Sequence, residues 1–486
     1  MVDSSISVDN SKSNISNGRS SLLFWAATLV LSLIAVRLVS LGLFPLYDTT
    51  EARYGEMARI MVETNNWITP QFDYNVPFWG KPPFQTWISA LSFSWLGISE
   101  FSARLPHFIC GLITCYLVFR FTKSLTNKNS AIFSLLILTS SLGFILAIGM
   151  VMTDSALLMA YTLAMVCYWQ CYSQKDKIVS GHLFFVALAL GMLIKGPVAV
   201  VLIGISLVFW SLWQGCFKVA IKRLPWLTGI LVFLLLTLPW YIWAEIRTPG
   251  FLEYFILGEH VQRFLVSGWQ GDLYGTAHVK PRGMIWLYWL ICASPWSFIV
   301  LGLLVKKYRG VELPRSKYQA QGINKYLICW MISPLLLFTL AGNILPIYVL
   351  PGFSALAVLV ALNCQLTKAS NYFALISLVL LTIIILVLSL GLLNKKSQAE
   401  LLGVDRDFSQ YTELYYWKKR PFSAQFYSKG QAQLLESKDK LNSLLKSDST
   451  FYIAIKRNEF EVLQNSLMPV CAINKQTESS LLLKCH

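Results

Sequence analysis

Long apolar runs alternate along the chain with short polar connectors. Eleven such runs lie near residues 21–44, 104–122, 130–148, 153–172, 181–195, 197–214, 225–245, 284–305, 325–342, 346–363 and 371–393. A transmembrane helix needs roughly 20 apolar residues, and each run meets or approaches that length. The pattern predicts an all-α polytopic membrane protein with about 11–13 transmembrane helices. Two shorter amphipathic helices are predicted in the first long connector, at Glu51–Glu63 and Phe84–Leu96, along the membrane surface. After Leu393 the pattern changes. Alternating runs at Phe451–Lys456 and Leu481–Lys484, with a helix-like stretch at Gln431–Leu445, predict a small α/β domain over 394–486. Residues 1–20 are polar and rich in Ser and Asn, with neither an apolar core nor a small-residue cleavage site. They read as a disordered tail rather than a signal peptide. The expected division is therefore a tail over 1–20, a transmembrane domain over 21–393 whose first loop spans 45–103, and the domain over 394–486.

Charge refines this picture. The chain is 55% hydrophobic and only 14% charged, with a formal net charge of +16. A soluble chain would hold about a quarter charged residues. The cations sit in connectors between apolar runs, which sets orientation in a bilayer and argues against nucleic acid as the partner. With Lys12 and Arg19 placed in the cytoplasm, alternation puts Arg120, Lys123 and Lys128, then Lys175 and Lys177, on the same side. It also puts Lys218, Lys222 and Arg223, the cluster from Lys306 to Lys317, and Lys368 there. The loops with Asp48–Lys81, Asp154, Lys195, Glu245–Arg282 and Asn343–Pro346 fall on the opposite face, as does the C-terminal domain. Most of the ten cysteines lie in apolar runs; Cys471 and Cys485 do not, and are either a disulfide of an oxidising compartment or two free thiols.

Tyr47–Pro83, directly after the first long apolar run, gathers Asp48, Glu51, Arg53, Glu56, Arg59, Glu63, Asp73 and Lys81. Asp48 stands just before a predicted helix. It reads either as that helix's cap or as a base that takes a proton from an acceptor. Asp154, in MTDSALL, opens an apolar helix and carries the same two readings. Lys81 in WGKPPF, Lys195 in IKGPVA and Arg263 in GEHVQRF are flanked by Gly, Pro or aromatic residues. Converging cations of this kind suit a phosphate or pyrophosphate leaving group, although Lys195 would also be free to snorkel to the interface. His260 and His278 share a loop with Glu259 and Asp272. A divalent metal there is one reading, and ordinary hydrogen-bonded histidines are the other. The sequence has no phosphate-cradling P-loop, no paired-cysteine motif and no nucleophile elbow, so a soluble nucleotide cofactor has no support.

DTTEARYGEMAR, WGKPPFQTWISALSFSWLGISEFSARLP, MTDSALL, KGPVA, EHVQRF, LPIYVLP and KKRPFSAQFYSKGQA follow one another in this order. The set resembles the bacterial polyprenyl-phosphate-sugar-dependent glycosyltransferases of GT-C fold, most closely the lipid A aminoarabinose transferases and more distantly the protein O-mannosyltransferases. The resemblance implies that Asp48 is the catalytic carboxylate and Asp154 a second acidic residue of the cavity. It places Lys81, Lys195 and Arg263 near the donor phosphate, with Tyr348 of LPIYVLP beside the lipid-phosphate groove, and gives Glu51, Arg53 and His260 supporting roles. Two departures stand out. Gly80 replaces a Glu that the family associates, with the histidine matched by His260, with a metal; without it a bound metal is disfavoured. The GNI before LPIYVLP replaces a Ser-Lys pair, which removes a cation.

The expected function is inverting transfer of a sugar from a polyprenyl-phosphate donor to lipid A or a related surface glycolipid. The protein would be a multi-pass protein of the bacterial inner membrane, with a cytoplasmic N-terminus and a periplasmic C-terminal domain. Within the same fold the alternative is a protein O-glycosyltransferase. A transporter or lipid flippase is the reading from another class, but it would place charges near the bilayer midplane and show paired half-structures, whereas here the charges crowd one interface.

Overall fold

The computed structural model describes residues 6–173, 178–275, 278–310, 322–391, 396–403, 413–447 and 449–486. The chain forms two compact units interleaved in sequence. One comprises Met1–Val39, Pro77–Gln85 and Leu105–Ile383, and the other Ser40–Val76, Thr86–Arg104 and Ile384–His486.

In the first unit every apolar run carries helix. Seven segments are long and apolar enough to cross a bilayer: Ser20–Gly42, Glu100–Leu125, Ile178–Lys195, Pro197–Gln214, Trp226–Arg247, Pro346–Asn363 and Lys368–Ser389. Met284–Cys292 and Trp296–Lys306 make an eighth if counted together, bent by 111°. Other runs come out shorter, because the one near 130–148 breaks at Ser141 into Lys128–Ser140 and Leu142–Ala147, and the one near 325–342 yields Ile323–Thr339. The first helix starts at Ile6, inside the stretch expected to be a disordered tail. Extending a helix costs less than nucleating one, and the apolar half supplies the nucleus. Residues 1–5 of that tail lie outside the described residues.

Polar side chains inside this unit bond to one another, as they must where water is absent. The Tyr161 hydroxyl lies 2.6 Å from both Ser206 Oγ and Ser333 Oγ, joining Thr153–Ser173, Pro197–Gln214 and Ile323–Thr339. Tyr326 donates to the Met165 carbonyl at 2.7 Å within a cluster of Tyr168, Trp169 and Trp210 rings.

The second unit contains a five-stranded sheet, with β1 (Glu413–Trp417), β2 (Ala432–Leu435), β3 (Phe451–Lys456), β4 (Cys471–Gln476) and β5 (Ser480–Cys485) in the order β2-β1-β3-β5-β4. β1 runs parallel to both β2 and β3, while β5 is antiparallel to β3 and β4. The sheet is covered on both faces. Tyr415, Trp417, Phe451, Ile453 and Ile455 pack with Leu441, Phe460 and Leu463 of the helices Lys438–Leu445 and Arg457–Leu467. Leu414, Tyr416, Ala454 and Leu482 pack with Leu401, Leu402 and Ala424 on the other side. The strands expected at Phe451–Lys456 and Leu481–Lys484 form. The helix expected over Gln431–Leu445 does not form as one element: its first part is β2, and the helix begins only after Ser437, whose side chain accepts from the Lys440 N–H. Pairing with β1 overrides the local helical propensity there.

The helices expected in the first loop form as Thr50–Thr64 and Phe84–Leu96. Thr50–Thr64 departs from a surface amphipathic helix because its Glu51, Glu56 and Arg59 are buried. They are tolerated inside because they are paired, Glu51 with Arg104 and Glu56 with Arg59.

Cys471 and Cys485 face each other in the β4–β5 register and are joined as a disulfide closing a sequence separation of 14. Constraining an unfolded loop of this size stabilises by about 3 kcal/mol. Reductant, or Cys485→Ser, is therefore expected to speed limited proteolysis within 394–486. Equal cleavage rates with and without reductant would count against this contribution.

Candidate functional site

The first loop places Asp48 in the second unit. The residue at the N-cap of Thr50–Thr64 is Thr49, with no side-chain cap bond. Asp48 instead accepts from Ser423, its Oδ1 from the backbone N–H at 3.1 Å and its Oδ2 from the hydroxyl. Ser423 lies in the first turn of Phe422–Tyr427, where N–H groups lack intrahelical partners. The cap reading of Asp48 thus holds for a different helix, one supplied by the KKRPFSAQFYSKGQA stretch, with Ser423 lying 375 residues away in sequence. Burial raises the Asp48 carboxyl above its ordinary value, and the Ser423 bonds and Lys419 offset only part of that rise.

Glu51 and Arg53, expected as supporting residues, also belong to the second unit. Glu51 accepts twice from Arg104, at 3.0 and 2.9 Å, and Arg104 spends its other donors on the carbonyls of Leu41, Phe44 and Pro45. All five guanidinium donors are used, so Glu51 serves to close the loop. Arg53 is half-buried, with its guanidinium 5.1 Å from the Tyr54 ring.

The first unit brings Asp154, Lys195, Lys81, Arg263, His260 and Tyr348 into one region. Lys195 Nζ donates to Asp154 Oδ1 at 2.6 Å and sits 4.6 Å from the Tyr348 ring centre. Both members of the ion pair are 8% exposed, so Lys195 does not snorkel. Asp154 is its counter-charge. Lys81 donates to the Gly80 carbonyl at 2.6 Å and to Glu259, on which Arg263 Nη1 also converges at 2.8 Å to both oxygens. Arg263 Nη2 further lies 3.3 Å from Asp272. Tyr348 is within electrostatic reach of Lys81, Arg263, Asp154 and Glu259, which makes it the link between the two ion-paired groups.

Three cations face three carboxylates here: Lys81, Lys195 and Arg263 against Asp154, Glu259 and Asp272. The formal sum is zero, but exposure is unequal. Glu259 and Asp272 side chains are 4% and 5% exposed, whereas Lys81 and Arg263 are 20% and 23% exposed. The accessible side of the cluster is therefore cationic. Burial alone would raise the Glu259 carboxyl, but Lys81 and Arg263 outweigh it and hold it below the ordinary carboxylate value. Arg263 is in turn stabilised in its charged form by Glu259 against the cost of burial.

Glu259 and His260 sit on a π-helical segment, Tyr254–Gln262, a geometry that recurs at functional sites. Sequence reasoning set Glu259 and Asp272 aside as companions of a metal-binding histidine. The i, i+4 spacing of Glu259 and Arg263 was the available signal of an ion pair. Both ring nitrogens of His260 face backbone carbonyls rather than an acidic side chain. Its Nδ1 faces the Phe255 carbonyl at 2.7 Å and its Nε2 the Lys195 carbonyl at 3.1 Å. Burial, then Lys81, lower its pKa. Gly196, at φ +79, permits this approach, since a Cβ there would press on Phe255 and His260. At the position of the family's Glu, a Cβ on Gly80 would come 2.9 Å from the Phe78 ring. Among the described residues no group of three or more His, Cys, Asp or Glu could hold a metal ion. The residues present do not fit one. The second departure has its own role: Asn343 donates to the carbonyls of Arg263 and Val266 at 2.7 and 3.0 Å, anchoring the segment that carries Arg263.

The family described as dolichyl-phosphate-mannose-protein mannosyltransferase matches residues 20–255. The undecaprenyl phosphate-alpha-4-amino-4-deoxy-L-arabinose arabinosyl transferase of Erwinia tasmaniensis is 30% identical over 333 residues, 67% of this chain and 56% of the relative. The protein of the same description from Yersinia pestis is 27% identical over 388 residues, 76% of this chain and 66% of its own. The chain thus spans a little over half the length of the Erwinia relative. The crystal structure of ArnT from Cupriavidus metallidurans bound to undecaprenyl phosphate superposes with a TM-score of 0.79 at 16% identity, covering 95% of this chain and 98% of that one. Its apo state gives 0.75 at 17% identity, covering 95% and 97%. The fold is that of ArnT, and the chain is a multi-pass inner-membrane protein.

Because Glu259 titrates below its unfolded value of about 4.3–4.5, its ionised form stabilises the fold above that pH. The contribution is lost as pH falls through the lowered folded-state value. Glu259→Gln is expected to be less stable than the unaltered chain at pH 7 and to lose less stability on acidification to about pH 3. Thermal unfolding in detergent across that range measures it; parallel profiles for the two proteins would contradict the assignment.

Proposed function

We propose that this chain, a relative of the lipid A aminoarabinose transferases that shares their GT-C fold, moves a sugar from a polyprenyl-phosphate donor to an extracytoplasmic acceptor. The acceptor we infer is lipid A or a related surface glycolipid. The observation that carries the reading is the Lys81–Glu259–Arg263 arrangement, in which two partly exposed cations are fixed from behind by one buried carboxylate. Each retains donor capacity after binding Glu259, and a departing lipid phosphate needs such donors where its charge develops. Asp154–Lys195 and Tyr348 complete the donor side.

In this mechanism an acceptor oxygen attacks the anomeric carbon, the bond from that carbon to the phosphate oxygen breaks, and configuration inverts. The electron pair leaves with the polyprenyl phosphate, held by Lys81 and Arg263. Asp48 takes the proton where the nucleophile is a hydroxyl; its raised pKa makes it a stronger base than an ordinary aspartate. No step requires a metal. The N-terminus is assigned to the cytoplasm and residues 394–486 to the periplasm, on the support of the connector charges and of the Cys471–Cys485 disulfide.

The match of residues 20–255 to the protein mannosyltransferases favours one second reading, a polypeptide acceptor. Mass spectrometry of surface glycolipids and exported proteins from strains with and without the chain separates the two.

Lys81→Met is expected to lower the transfer rate by about 10²–10³-fold, the scale for removing one group that stabilises developing charge. Asp48→Asn is expected to cost about 10²–10⁴-fold, the scale of general-base catalysis, with donor binding retained. For the unaltered chain the acidic limb of the pH–rate profile should inflect above about 3.9, the ordinary aspartate value. Full transfer by Asp48→Asn would remove the base assignment.

A further inference from the structure

The second unit holds a cavity of about 400 Å³ whose wall includes Asp48. Its position follows from topology. β1 is followed by β2 on one side, and the chain then returns to place β3 on the other, both parallel to β1. Where the strand order reverses in this way, a crevice opens outside the carboxyl ends of the two diverging strands, and ligands of α/β sheets bind there. The cavity lies at that point, lined by the carboxyl ends of β1 (Tyr416 and Trp417) and β3 (Ala454 to Lys456).

Its charges are unlike those of the transmembrane cluster. Lys396, Lys419 and Lys456 reach it from three separate elements and are exposed. Among the described residues none of the three ammonium groups forms an ion pair. Arg420 also lines the cavity, with its charge met by Asp73, and among the described residues the only carboxylate on the wall is Asp48. Against the single described carboxylate on the wall, three ammonium groups around a space of this size repel one another, and a polyvalent anion relieves that repulsion. Phosphate suits the charge count. The Trp417 and Phe422 rings add an apolar wall of the kind that packs against a sugar.

We infer that Lys396, Lys419 and Lys456 at this switch point bind the phosphate of a phosphorylated saccharide, the head group of the acceptor, beside Asp48. The inference rests on the reading of Asp48 as the acceptor-side residue. It makes the C-terminal domain the module that selects the acceptor, with the donor phosphate left to Lys81 and Arg263.

The test uses the full chain in detergent and the double variant Lys396→Gln/Lys456→Gln, both positions being exposed and neither acting on the Asp48 carboxyl. In calorimetric titration, glucosamine 1-phosphate should bind at least about tenfold more tightly than glucosamine, the loss of a charge-assisted contact being about a factor of ten or more. The double variant should lose that advantage, while Lys81→Met should keep it. In transfer assays the double variant should raise the KM for phosphorylated lipid A about tenfold, leave the donor KM unchanged, and have no effect with dephosphorylated acceptor. No binding, or equal binding by the double variant, overturns the inference. Inorganic phosphate binding as tightly as the sugar phosphate overturns its saccharide part. Loss of sugar-phosphate binding with an unchanged acceptor KM assigns the cavity to a soluble sugar phosphate and overturns its acceptor role. If the unaltered chain transfers to no acceptor yet binds the sugar phosphate through these lysines, the transferase reading fails and the phosphosugar site stands.

Discussion

The Lys81–Arg263 pair depends on a single buried carboxylate. Glu259 is 4% exposed and receives both Lys81 and Arg263. A lysine and an arginine brought this close repel each other, and neither is easily held near a membrane without a counter-ion. Glu259 removes both obstacles at once. Asp272 shares the load on Arg263, and Asn343 fixes the backbone from which Arg263 projects. The carboxylates are sunk deeper than the cations, so a cluster of zero formal charge still presents positive charge to whatever enters. In the transfer proposed above, a neutral, pre-assembled site of this kind needs little rearrangement as phosphate charge develops.

Much of this was legible in the sequence, and the remainder was hidden for identifiable reasons. The apolar runs located the helices, because hydrophobic length is a one-dimensional property of the chain. Lys81, Lys195 and Arg263 were singled out because each is flanked by Gly, Pro or aromatic residues, and Tyr348 through the resemblance carried by LPIYVLP. Only the i, i+4 pair of Glu259 and Arg263 left a local signal; the partners of the two lysines left none. Glu259 lies 178 residues from Lys81 and Asp154 lies 41 from Lys195, and no local pattern encodes such pairings. The partner of Asp48 was hidden in the same way: the adjacent helix suggested a cap, while the actual donors come from Ser423. Gln431–Leu445 read as one helix because its composition is helical, yet its first residues were claimed by a long-range pairing with β1.

The two departures from the resembled family gain a common sense from the charge count. Gly80 removes a carboxylate, and the GNI segment removes a lysine. One negative and one positive charge are lost together, and the remaining three cations and three carboxylates still balance. The space at residue 80 is taken up by the Phe78 ring, and His260 turns both ring nitrogens to backbone carbonyls. The position where a metal would need ligands has become an ordinary packed and hydrogen-bonded region.

The contrast between the two sets of cations follows from their surroundings. Lys195, at 8% exposure, would be untenable unpaired, so its pairing with Asp154 is demanded by burial and says nothing by itself about a ligand. Lys396, Lys419 and Lys456 are solvated, and water stabilises them without a partner. A single exposed lysine is therefore equally uninformative. What distinguishes these three is that different elements bring them to one cavity at the point where the sheet's strand order reverses. In the membrane unit the ligand-facing charge is read from unequal burial within balanced pairs, and in the sheet unit from convergence without pairing. The same electrostatics gives two different signatures because one set is held in a poorly hydrated interior and the other is in water.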